Sequence, residues 1–166
     1  MSKRSLLLVD DESSFRTLIG RELTRAGYEI EGAGNLDEAR HALGRRSFDL
    51  VLLDVRMPDG SGRELLPEIR EQWPATEVLM LTAYGTVEEA IRAMKLGAYD
   101  FLTKPCKLSE LEAVLEKACE KQQLLRSNTA LTREVERLQP ADGIIGSTSE
   151  MRELYDLITR VARTDT

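Results

Sequence analysis

Five residues of this 166-residue chain carry groups suited to metal or phosphoryl chemistry, and each follows a short apolar run. Asp10 and Asp11 follow Leu6 to Val9, Asp54 follows Leu50 to Leu53, Thr82 follows Glu77 to Leu81, and Lys104 follows Tyr99 to Leu102. A run of this length closed by turn residues reads as a buried strand. In an open parallel sheet the carboxyl ends of the strands are where ligands and reacting groups gather. Three carboxylates at one edge repel one another unless a cation joins them, and hard oxygen ligands with room for water suit Mg²⁺. Thr82 adds a hydroxyl and Lys104 an ammonium. A carboxylate nucleophile, a divalent metal, a hydroxyl and a lysine together are suited to accepting a phosphoryl group.

The elements that must position these groups alternate regularly. Leu6 to Val9 reads as a strand, and Ser13 or Ser14 can cap a helix with Phe15, Leu18, Ile19, Leu23 and Ala26 inward and Gly27 as its stop. Tyr28 to Ala33 reads as a second strand. Asn35 caps the next helix, with Leu36, Ala39 and Leu43 inward before Gly44. The third strand runs to Asp54; after a loop, a helix from about Gly62 ends before Trp73-Pro74. A strand from Glu77 to Leu81, a helix from about Thr86 to Leu96 and a strand from Tyr99 to Leu102 complete the pattern. Five strands alternating with helices predict a doubly wound α/β domain whose parallel sheet, in the order 2-1-3-4-5, is covered on both faces.

From Leu108 one helix is predicted to run to about Leu138, without glycine or proline. Residues 111, 115, 118, 122 and 125 form one stripe at coiled-coil spacing, and Leu124, Asn128, Leu131, Val135 and Leu138 form a second, shifted by one residue. Roughly 45 Å of helix exceeds the span of a small sheet, so the first stripe is expected to pack on the domain and the second to be a homodimer seam, with Asn128 fixing its register.

Bulk properties exclude several classes. The net charge of −6 is shared evenly, −3 over residues 1 to 107 and −3 over 108 to 166, so neither part offers a basic nucleic-acid surface. Cys106, Cys119 and the single histidine, His41, provide neither a disulfide framework nor a zinc site. The four apolar residues before Asp10 are too few for a signal peptide or a membrane span. The expectation is a cytoplasmic protein with two packed thiols and a solvated His41, with no membrane partner and no nucleic acid bound by this chain alone.

Asp10-Asp11, Asp54-x-x-Met57-Pro58-x-x-x-Gly62, Thr82-Ala83 and Lys104-Pro105 resemble, in order and over residues 1 to about 120, the receiver domain of bacterial response regulators, whose fold is called CheY-like or flavodoxin-like. The resemblance implies that Asp54 is the phospho-acceptor and that Asp10, Asp11, Asp54 and the backbone carbonyl of Arg56 hold Mg²⁺. It further implies that Thr82 turns toward the phosphoryl group, that Lys104 pairs with it, that Phe101 changes rotamer with Thr82, and that the Lys104-Pro105 bond is cis. The implied donor is the phosphohistidine of a sensor kinase. Arg56 and Tyr84, each two residues past a site residue, are expected to shield the acyl phosphate and slow its hydrolysis.

Gly143-Ile144-Ile145-Gly146-Ser147 and Met151-Arg152-Glu153-Leu154 resemble the opening of the AAA+ ATPase domain in NtrC-type activators of sigma-54-dependent transcription. No Gly-x-x-x-x-Gly-Lys-Ser/Thr occurs in the sequence, so a regulatory and not an enzymatic chain is expected, with ATPase and DNA-binding domains elsewhere in a longer protein. The expected organisation is a receiver domain over 1–120, a coiled-coil linker helix over 121–140 and the beginning of an ATPase domain over 141–166. Two other classes compete. A phosphatase of the haloacid dehalogenase type also forms an aspartyl phosphate, but it needs a second aspartate two residues after the first; Glu12 and Ser13 stand at those places after Asp10 and Asp11. A scaffold pairing through its coiled coil leaves the acid cluster unexplained.

Overall fold

In the computed structural model, residues 4–83 and 85–138 are described. The chain divides into two compact units, Met1–Asn128 and Thr129–Thr166. The first unit begins with β1 (Arg4–Val9), α1 (Ser13–Arg25), β2 (Tyr28–Ala33), α2 (Leu36–Arg45) and β3 (Leu50–Asp54). It continues through β4 (Arg56–Met57), β5 (Gly60–Ser61), α3 (Gly62–Gln72), β6 (Glu77–Thr82), α4 (Val87–Lys95) and β7 (Asp100–Thr103). The last helix, α5, runs over Leu108–Leu138.

The main sheet is parallel and ordered β2-β1-β3-β6-β7, which is the expected order once the short β4 and β5 are set aside. Its period-two alternation sends successive side chains to opposite faces. Leu7, Val9, Val51, Leu53, Val78 and Met80 enter one core with residues of α2, α3 and α4. Leu6, Leu8, Leu50, Leu52, Leu79 and Leu81 enter the other with Leu23 of α1 and Leu111, Leu115 and Ala118 of α5. Burial on both faces is why these strands are near-continuous apolar runs.

Three local expectations are corrected. The N-cap of α1 is Glu12, with no side-chain cap bond, and Ser13 and Ser14 are inside the helix. The turn is tied instead by the Asp10 carboxylate, which accepts from the Glu12 N–H at 3.0 Å. On α1 the inward stripe is Phe15, Ile19 and Leu23, spaced by four; Leu18 is 60% exposed and Ala26 is the exposed C-cap. The segment after Asp54, read as a loop, contains a two-stranded antiparallel ribbon pairing Arg56 with Ser61 and Met57 with Gly60.

Other expectations are met for the α2 cap, His41, the two thiols and the α5 stripe as far as Gln122. Asn35 accepts from the Glu38 N–H at 2.8 Å and caps α2, which runs one residue past Gly44. His41 is exposed. Cys106 is half-buried and Cys119 buried, both as free thiols. On α5 the inner stripe is Leu111, Leu115, Ala118 and Gln122, all buried, and Leu125 emerges at 43% exposure. Among the described residues no helix is long and apolar enough to cross a membrane.

Candidate functional site at the carboxyl edge of the sheet

β1, β3 and β6 are neighbours in the sheet, and their register aligns Val9 with Leu53 and Asp54 with Leu81. That alignment alone brings Asp10, Asp54 and Thr82 to one edge. Ligand oxygens of Asp10, Asp11 and Asp54 lie within 4.8 Å of one another. Asp10 and Asp54 are buried, at 1% and 6% exposure, and Asp11 is exposed. Thr82 is also buried.

Lys104 reaches this edge from the end of β7, where its N–H donates to the Thr82 carbonyl at 2.7 Å and its bond to Pro105 is cis. Its ammonium, in a side chain 13% exposed, donates to Asp10 Oδ2 and, at 2.7 Å, to Asp54 Oδ2. Burial pushes the Asp10 carboxyl above its ordinary range, and the Lys104 hydrogen bond only partly offsets that. For Lys104, burial acts to lower its pKa, but hydrogen bonds to Asp10 and Asp54 outweigh it and the pKa is raised. One ammonium thus bonds two of the three clustered carboxylates. The remaining negative charge and the hard oxygen donors fit a small divalent cation such as Mg²⁺.

A cavity of about 240 Å³ opens onto the group, lined by Asp11, Glu12, Asp54, Arg56, Thr82, Ala83 and Lys104. The Arg56 N–H donates to Asp54 Oδ1 at 3.1 Å, orienting the carboxylate. Gly62 lets the chain return beside it: a Cβ there would lie 2.0 Å from the Asp54 carbonyl oxygen. The ribbon is held down where Asp59 accepts from the Leu36 and Asp37 N–H groups at 2.9 and 3.1 Å. These backbone bonds hold the Asp59 carboxyl below its ordinary range.

Asp10, Asp11, Asp54, Arg56, Thr82 and Lys104 are therefore brought together, whereas Phe101 is not among the cavity's lining. It packs on one core, and the connection after β6 lies directly against it: a Cβ on Gly85 would sit 2.8 Å from Phe101 Cε1 and 2.3 Å from Thr103 Cγ2. Along the second stripe of α5, Leu124 is 71% exposed and Asn128 is exposed. The side chains of Leu131, Val135 and Leu138 lie outside the described residues, as do Tyr84 and residues 139–166.

Two site residues escaped sequence reading. Arg16 donates through Nη1 to the Asp10 carbonyl, and the Phe15 ring lies under the Lys104 ammonium, 4.2 Å from centroid to Nζ. Both stand in the first two turns of the helix that follows Asp10-Asp11, and that proximity was the available signal.

A family model described as the response regulator receiver domain matches residues 6–116. The chain is 40% identical over 163 residues to the response regulator protein PilR of Pseudomonas aeruginosa, covering 98% of this chain and 35% of that one. It is 32% identical to the DNA-binding transcriptional regulator NtrC of Azospirillum brasilense, covering 99% and 34%. The chain thus spans about a third of the length of the curated relatives it matches. Among solved structures, the beryllofluoride-activated NtrC4 receiver domain dimer aligns with a TM-score of 0.69 and 35% identity over 71% of this chain and 98% of that one. NtrX from Brucella abortus in complex with ADP aligns at 0.74 and 35%, over 97% and 36%.

Proposed function

Because this chain belongs to the receiver-domain family of response regulators, we propose that residues 1–120 form a phosphorylation switch in which Asp54 is the acceptor. The observation that carries this reading is the convergence of Asp10, Asp11 and Asp54 around an open cavity, with Lys104 bonded to two of them. An Asp54 oxygen attacks the phosphorus of a sensor kinase's phosphohistidine. The P–O bond forms as the P–N bond breaks, and the electron pair leaves with the kinase imidazole. A divalent cation held by Asp10, Asp11, Asp54 and the Arg56 carbonyl supplies charge neutralisation for the transferred group. The Arg56 N–H holds the attacking carboxylate in place. Lys104 exchanges a carboxylate partner for a phosphoryl oxygen, and the Thr82 hydroxyl turns toward another.

The adduct adds roughly −1.5 to −2 of charge. As Thr82 moves, the connection before α4 and the Phe101 ring beneath Gly85 have to readjust together, because no space separates them. Phe101 has no hydroxyl, so its rearrangement rests on apolar packing. Arg56, exposed at the cavity mouth, together with Tyr84 slows hydrolysis of the adduct. Residues 121–140 act as a linker helix that pairs two copies through Leu124, Asn128, Leu131, Val135 and Leu138. Residues 141–166 begin an ATPase domain, and the longer cytoplasmic protein is a sigma-54-dependent activator with its own DNA-binding domain. Likeness over nearly the whole chain to the response regulator protein PilR, to the DNA-binding transcriptional regulator NtrC and to NtrX supports this wider reading.

The test is incubation with Mg²⁺ and a small phosphodonor, followed by intact mass and oligomeric state. A single phosphoryl adduct, absent in Asp54→Asn, with a change in dimer population is expected. Multiple turnover of phosphate esters would favour a phosphatase instead, and no adduct would leave a scaffold.

A further inference from the structure

The Lys104 ammonium has two kinds of partner. Asp10 and Asp54 are shared with the proposed metal site, whereas the Phe15 ring is not. A divalent cation held by these carboxylates would compete with Lys104 for their oxygens and would cancel much of the charge that attracts it. The ammonium is then left beside a second, larger positive charge. An aromatic face is no ligand for a hard cation, so the ring keeps its attraction for Lys104 when the carboxylates are occupied. Phe15 is itself fixed: it lies in the first turn of α1 and packs against the core shared by β1, β3 and α5.

From this geometry we infer that Phe15 is a positioning residue for the phosphoryl-transfer reaction, seating the Lys104 ammonium at the cavity in the metal-loaded state. Its place in the apolar stripe of α1 accounts for its burial but not for the centring of Nζ over its ring. A leucine at 15 would keep an apolar side chain in that stripe and offer no such seat. The inference rests on the switch reading for its consequence, and on the Phe15–Lys104 contact alone for its existence.

The experiment uses the full chain labelled with ¹³C-lysine. In the wild type with saturating Mg²⁺, the Lys104 ε-methylene protons are expected upfield from ring current, identified by loss of the signal in Lys104→Met. The displacement is retained in Phe15→Tyr and abolished in Phe15→Leu. With a small phosphodonor, Phe15→Leu is expected to lower the limiting rate of Asp54 phosphorylation about five- to tenfold at unchanged half-saturation for the donor, and Phe15→Tyr to restore it within about twofold. A Lys104 signal that moves to the random-coil position when Mg²⁺ is added to the wild type overturns the inference. So does an unaltered rate in a folded Phe15→Leu. If the wild type accepts no phosphoryl group, the switch reading falls, and the Mg²⁺ titration of the Lys104 signal still decides whether Phe15 holds the ammonium.

Discussion

The two ends of the sheet each bury carboxylate and cation together, and they do so with opposite balance. At the amino end, Glu77, 1% exposed at the start of β6, meets Arg70 of α3 at 2.9 Å and Lys121 of α5 at 3.0 Å. Lys121 also lies over the Tyr99 ring at 5.3 Å. One carboxylate there is shared by two cations, and neither Glu77, Arg70 nor Lys121 lines the cavity at the other end. At the carboxyl end three carboxylates cluster beside open space, and one ammonium bonds two of them. The first arrangement sets two cations against its one carboxylate and joins α3, β6 and α5. The second gathers more carboxylates than its ammonium bonds, at an open cleft, and that imbalance is what the proposed metal and phosphoryl chemistry would use. Burial of charge alone does not distinguish structural from chemical residues; the sign left over and the access to it do.

Breaking each end should give opposite signatures. The largest effect is expected at the carboxyl end. Asp11→Asn or Asp10→Asn, by removing one anion of three, should weaken Mg²⁺ binding at least about tenfold, measured by calorimetry. Glu77→Ala strands Arg70 and Lys121; because Lys121 is 53% exposed, the cost in urea denaturation should be about 2–3 kcal/mol, below that of breaking a fully buried pair. Mg²⁺ affinity and phosphoryl uptake should be unchanged in that variant. The smallest effect has the reverse sign: without metal, Asp10→Asn should stabilise the protein by about 1 kcal/mol while abolishing its function.

That last gain should depend on pH in a defined direction. Burial raises the Asp10 pKa in the folded state, so the folded protein favours the neutral acid. Holding Asp10 as an anion is a cost that sets in as the pH rises through the carboxylate range and is complete above the folded pKa. The stability difference between Asp10→Asn and the wild type should therefore be absent in acid and widen toward neutrality. A difference that instead shrinks with rising pH would show that Lys104 more than offsets the burial of Asp10.

The carboxyl end was far more legible in the sequence than the amino end. Asp10, Asp11, Asp54, Thr82 and Lys104 each terminate an apolar strand, and parallel topology carries every strand terminus to one edge. The buried stripe Leu111, Leu115, Ala118 and Gln122 was legible for a similar reason, its four- and three-residue spacing. Glu77 read only as the first residue of a strand, because its partners lie at 70 and 121 and no local spacing joins them. Phe15 was hidden by its own apolar stripe: periodicity reports that a ring is inward, not which cation sits on its face. The ribbon at Arg56–Met57 and Gly60–Ser61 is too short for any period, and no serine caps α1: Asp10 accepts from the Glu12 N–H in the turn that leads into it.

The central claim is tested most directly by trapping the acyl phosphate. After reaction with Mg²⁺ and a phosphodonor, borohydride reduction converts a phosphorylated aspartate to homoserine, which peptide mass mapping can locate. The expected result is homoserine at position 54 alone, dependent on Mg²⁺ and lost in Asp11→Asn. Homoserine at Asp10 or Asp11, or phosphoryl uptake with no homoserine at 54, would contradict it.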